Sequence, residues 1–107
     1  MEQYRLKFWF EHGGNCIWAS NDKVNAEYGY AINSNSLPIS NELVSLLNSL
    51  ENEYYTYLDW VYPPNPSPWS EDHKKDFIDR ATVAYNNLCK ELGEIYIIEN
   101  DVASCVV

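Results

Sequence analysis

Four of the chain's five prolines fall within Pro63-Pro64-Asn65-Pro66-Ser67-Pro68. No helix crosses such a run, because proline lacks the donor N–H and its ring clashes with the preceding turn. An extended path is required there, so the helical part of the chain is split in two. Upstream, Leu43, Leu47, Leu50, Tyr54, Tyr57 and Leu58 recur at spacings of three and four. That spacing predicts one amphipathic helix from Asn41 to about Asp59, with Ser40 as its N-cap and Glu42 in its first turn. Downstream, Ser70 caps a second helix with Glu71 and Asp72 in the first turn. Its apolar stripe is Phe77, Ala81, Ala84, Leu88 and Leu92, widened by Ile78 and Tyr85, and Gly93 supplies the stop.

Two such stripes need a surface to cover, and the ends of the chain supply it. Tyr4, Leu6, Phe8 and Phe10 alternate with Arg5, Lys7, Trp9 and Glu11, the pattern of a half-buried strand. His12-Gly13-Gly14-Asn15 is turn chemistry, and Cys16 to Ser20 reads as the returning strand of a hairpin. Asp22 to Tyr28 reads as a short helix, and Glu94 to Glu99 as a late strand. Residues 100–107 read as a weakly ordered tail, with Val102, Val106 and Val107 able to extend an edge strand. The expected fold is α+β, a single domain over residues 1–107. A small antiparallel sheet, made of the N-terminal hairpin and the C-terminal strand, packs against two long helices in a two-layer sandwich.

Charge narrows the classes of partner. The 107 residues carry 16 acids and 7 Lys or Arg, a formal charge of −9. So few dispersed cations argue against nucleic acid. No apolar run reaches the roughly 20 residues of a membrane span. Hydrophobic content of 46% is too high for a disordered acidic tail. The N-terminus lacks the apolar region of a signal peptide, and three widely spaced cysteines read as reduced thiols, so a cytoplasmic location is expected. The excess charge is uneven, since residues 40–80 hold eight acids against three bases. A basic protein partner would meet that part.

Motifs for chemistry are sparse. His12 and Cys16 lie near one turn, which invites a thiol-enzyme or ligand-binding reading of the hairpin. Against it, Cys16 begins a strand, where a small buried hydrophobe is the commoner role. Asp72, His73 and Asp76 resemble a metal corner at helical spacing, yet acids in a first helical turn need only the helix dipole to explain them. No spacing of His and Cys supports zinc, and neither a P-loop nor a dinucleotide fingerprint is present. No cofactor, no metal and no catalytic residue is expected.

The segment from Asp59 to Ser70 is the most unusual, with Trp60, Tyr62 and Trp69 on a proline-stiffened connection. Stiffening lowers the entropy cost of displaying such anchors, and Trp and Tyr are favoured at protein interfaces. The alternative role for each Trp is to seal one end of the helix pair. Asp59 opens the segment, and Glu71, Asp72 and Asp76 follow it.

The hairpin start Lys7-Phe8-Trp9-Phe10-Glu11-His12-Gly13-Gly14, the segments Leu58-Asp59-Trp60 and Pro68-Trp69-Ser70, and the acidic balance together resemble the small immunity proteins of bacterial toxin–immunity systems, including contact-dependent growth inhibition. The resemblance implies a stoichiometric inhibitor of a toxin, typically a basic nuclease domain, with no catalysis of its own. On that reading Glu51, Glu53, Asp59, Glu71, Asp72, Asp76 and Asp79 would steer and pair with the toxin's cations. Trp60, Tyr62 and Trp69 would be desolvated anchors. The free chain would be a monomer or weak dimer. A small enzyme built on the His12–Cys16 hairpin and a regulatory interaction adaptor are the alternatives.

Overall fold

A computed structural model describes residues 3–11, 15–58, 60–62 and 65–106. The strands are β1 (Tyr4–Phe8), β2 (Ile17–Ala19), β3 (Ala31–Ile32) and β4 (Tyr96–Asn100). The helices are α1 (Asp22–Tyr28), α2 (Asn41–Tyr54) and α3 (Glu71–Leu92). Each helix begins where its cap predicts. The side chains of Asn21, Ser40 and Ser70 accept from the backbone N–H of Val24, Leu43 and His73, satisfying donors that a first turn leaves orphaned. α3 ends at Gly93, whose φ of 81° is a conformation that side-chain-bearing residues rarely adopt. α2 ends at Tyr54, short of the expected Asp59. The chain tightens into a 3₁₀ turn over Tyr55–Tyr57 and then becomes extended at Leu58, ahead of the proline run.

The sheet order is β3-β2-β1-β4, with β1 in the interior. β1 and β2 form the expected antiparallel hairpin, with Leu6 opposite Ala19 and Phe8 opposite Ile17. The expectation of a wholly antiparallel sheet is corrected, because β4 runs parallel to β1, from Tyr4 opposite Tyr96 to Phe8 opposite Asn100. The long excursion through α2 and α3 returns the chain to the end of the sheet from which β1 starts, as a crossover connection does. A two-residue β3 extends the hairpin on its far side.

The sheet packed on helices is as expected. Leu6, Phe8, Ile17, Ile32 and Ile98 share a core with Leu43, Leu47 and Leu50 of α2 and Phe77, Ala81, Ala84 and Leu88 of α3. Burying each large side chain contributes about 1.5–3 kcal/mol. Residues 100–106 do not behave as a loose tail. Val102, Cys105 and Val106 belong to the same core, the Phe10 N–H donates to Cys105 Sγ at 3.1 Å, and the Tyr54 hydroxyl donates to the Cys105 carbonyl at 2.7 Å. Among the described residues, no helix is long and apolar enough to cross a membrane.

Candidate functional site

The connection between α2 and α3 separates its two tryptophans. Trp60 folds back over the 3₁₀ turn, where its indole stacks on Tyr55 with centroids 4.6 Å apart and its Nε1 donates to the Tyr55 carbonyl at 2.6 Å. Both rings stay open to solvent, Tyr55 at 54% and Trp60 at 46%, and Tyr62 and Val61 are exposed beside them in sequence. Trp69 is only 7% exposed. Its Nε1 donates to Thr56 Oγ1 at 2.9 Å, and its ring meets Tyr54, Tyr57 and Phe77. The Ser67 hydroxyl donates to the Tyr57 carbonyl and accepts from the Trp69 N–H, pinning this stretch to the end of α2. Trp69 therefore seals the helix pair, the alternative role set out for it above. A buried indole whose N–H is already satisfied has little left to offer a partner.

The carboxylates divide in the same way. Glu53 on α2 accepts from both terminal nitrogens of Arg80 on α3, at 2.7 and 2.6 Å, and lies 2.9 Å from His73 Nε2. Arg80 Nε also donates to Asp76 at 2.8 Å, and the His73 ring stacks on Trp69 at 4.0 Å. The Arg80 hydrogen bonds hold the Glu53 carboxyl below the usual range, more than offsetting its partial burial. Glu53 thus staples α2 to α3 and is not a free carboxylate awaiting a cation.

Glu51 turns toward the hairpin, where burial raises its pKa, opposed by hydrogen bonds from the Cys16 thiol and backbone N–H. Glu71 pairs with Lys74 at 3.2 Å while remaining outward. Asp76 is outward but engaged by Arg80. Asp72 and Asp79 are exposed and make no ion pair among the described residues. Asp59 and His12 lie outside the described residues.

Of the ten expected contact residues, Trp60 and Tyr62 are exposed, Asp72 and Asp79 are exposed with no ion pair among the described residues, and Glu71 and Asp76 are exposed but partly neutralised. Glu51, Glu53 and Trp69 serve the fold. Sequence reading missed Arg80 as the hub of the α2–α3 network. The Asp76–Arg80 spacing of four was the available signal, since such pairs meet on a helix surface. It also missed the exposed Tyr55, which periodicity could not distinguish from the buried Tyr54.

The thiols have the character of packing groups. Burial pushes Cys16 well above the ordinary thiol value and Cys105 up to about 11, the opposite of what an activated nucleophile requires. No group of three or more His, Cys, Asp or Glu among the described residues is placed to hold a metal. An open polar hollow of about 380 Å³, lined by Ser20, Asn21, Asp22, Asn25 and Tyr30 among others, lies at the start of α1.

An acidic chain with a helix pair ending in exposed aromatics, and with Cys16 and Cys105 buried, has the make-up of a binding protein. None of the curated proteins matches it. The model of one protein family does, over residues 4–100, which takes in all four strands and all three helices. That family is described as Serratia CdiI immunity protein-like, and the chain belongs to it, as an immunity protein of the contact-dependent growth inhibition type, a class that neutralises a cognate toxin.

Proposed function

We propose that this immunity protein captures a basic toxin domain, of the nuclease kind, by electrostatic attraction and then covers its active site. The carrying observation is the pairing of a −9 charge with the exposed Tyr55–Trp60 stack. The charge attracts a cationic surface over distance, and the aromatics give the docked complex area at low entropy cost. Asp72 and Asp79 are the carboxylates best able to meet incoming Lys or Arg, because among the described residues no cation pairs with them. Glu71 and Asp76 add to the long-range field while keeping their internal partners. Trp60 and Tyr62 are the anchors. The protein acts by binding and uses no cofactor, and its place of action is the cytoplasm.

The test is co-expression with a candidate toxin domain, sought first in the genes flanking this one, followed by stopped-flow association of the purified pair. Asp72→Lys/Asp79→Lys is expected to slow association about tenfold or more at low salt while changing dissociation less. Association that is unchanged by this reversal and insensitive to salt would rule out electrostatic capture.

A further inference from the structure

α2 carries a surface that the toxin-binding reading has not used. Its exposed residues are Asn41, Glu42, Ser45, Asn48, Ser49 and Asn52, so five of the six are Asn or Ser. α3 in the same protein exposes Glu71, Asp72, Lys75, Asp76, Asp79, Lys90 and Glu91, with Val83, Asn86 and Asn87. Solvated helix faces ordinarily look like α3, because charged residues favour solubility and long straight side chains favour the helix. Asn and Ser do neither well, since their short polar side chains compete for nearby backbone groups. A helix that places them at nearly every exposed position is poorly chosen for stability alone.

The stripe is continuous with the aromatic site. Asn41, Ser45, Asn48, Asn52 and Tyr55 follow one another at spacings of four and three, and Tyr55 keeps helical backbone angles. The row spans about 16 Å from Asn41 to Asn52 at the helical rise per residue and ends at the Tyr55–Trp60 stack. The carboxylates along its two flanks are already committed, Glu51 to Cys16 and Glu53 to Arg80. The result is an uncharged strip rich in hydrogen-bonding groups, set in an anionic protein. Charge is depleted at the core of a protein interface relative to its rim, and the strip shares that depletion. Asn, Ser and Tyr together are the residues of adaptable recognition surfaces.

We propose that the outer face of α2, from Asn41 to Tyr55, is the central docking face for the toxin domain, with Glu42, Asp72 and Asp79 as its acidic surround. This inference rests on the toxin-binding reading above. Charge selects the occupant. A second copy of the chain would bring two −9 surfaces together, whereas a toxin domain with an uncharged patch ringed by Lys and Arg complements both strip and surround.

The test is isothermal titration of the full-length protein against the purified toxin domain used above. Ser45→Ala/Asn48→Ala/Asn52→Ala is expected to raise the melting temperature, because alanine is the better helix former, and to weaken binding at least tenfold. Asn48→Arg, a larger cation at the centre of the strip, is expected to weaken it at least a hundredfold with the far-ultraviolet dichroism unchanged. If the wild type binds and both variants bind within twofold of it, the α2 face is overturned and the toxin-binding reading stands. If the wild type itself does not bind, the two fall together.

Discussion

Arg80 ties two carboxylates together, with Glu53 and Asp76 both bonded to its guanidinium. Bidentate, charge-assisted contacts between two helices outweigh ordinary surface pairs, though part of the gain is screened at this exposure. Arg80→Ala is expected to cost about 1–2 kcal/mol, or roughly 5–10 °C in melting temperature for a domain of this size. The pH dependence has a definite sign. Because the Glu53 pKa is lowered in the folded state, its contribution is present above the ordinary carboxylate range and is lost as pH falls through the lowered value. Melting curves taken from pH 6 down to pH 3 should therefore fall less steeply for Glu53→Gln than for the wild type. Glu51 has the opposite sign, since its raised pKa makes the folded state favour the protonated form and costs stability as pH rises. Glu51→Gln should melt higher than the wild type at pH 7.

At the scale of elements, the starts of α2 and α3 and the end of α3 were legible because they rest on local chemistry, whereas the end of α2 at Tyr54 was not. Ser40, Ser70 and Gly93 each act within one turn of their own position. Gly93 gives a clean check. A Cβ there would meet no atom within 4 Å, so the cost of Gly93→Ala is conformational alone, about 1–3 kcal/mol for a positive-φ, extended-ψ backbone that is nearly reserved to glycine. Equilibrium urea unfolding should show that loss with an unchanged slope. The direction of β4 was not legible, because alternation of apolar and polar residues reads the same along a strand either way. Nor was the burial of Val102, Cys105 and Val106, which lie in a 3₁₀ turn and its exit and follow no period. Trp60 and Trp69 have the same side chain within one short segment. What separates them is the company of Thr56 from the 3₁₀ turn and of His73 and Phe77 from α3, two stretches on either side of the proline run.

The whole molecule is elongated, 46 × 23 × 21 Å, and strongly anionic. Exposed charge is screened over about 8 Å at 0.15 M salt and about 30 Å at 0.01 M. At low salt the attraction therefore acts over much of the length of the protein. The association rate with the toxin domain should fall by one to two orders of magnitude between those salt concentrations, with dissociation much less affected. Of the interface, the charge and the aromatic loop were legible in the sequence. The internal commitment of Glu51, Glu53 and Trp69 was not, because it depends on how α2, α3 and the hairpin meet.

The position of β1 has a consequence for synthesis. β1 leaves the ribosome well before its parallel neighbour β4, which lies about ninety residues downstream. Translation at roughly 5–20 residues per second separates the two strands by about 5–20 seconds. Throughout that interval one edge of β1 lacks its final partner, and Ile98 is missing from the core that α2 and α3 share with the hairpin. A cell that relies on this protein cannot draw on a nascent chain for protection, so the finished protein has to be in stock before the toxin arrives.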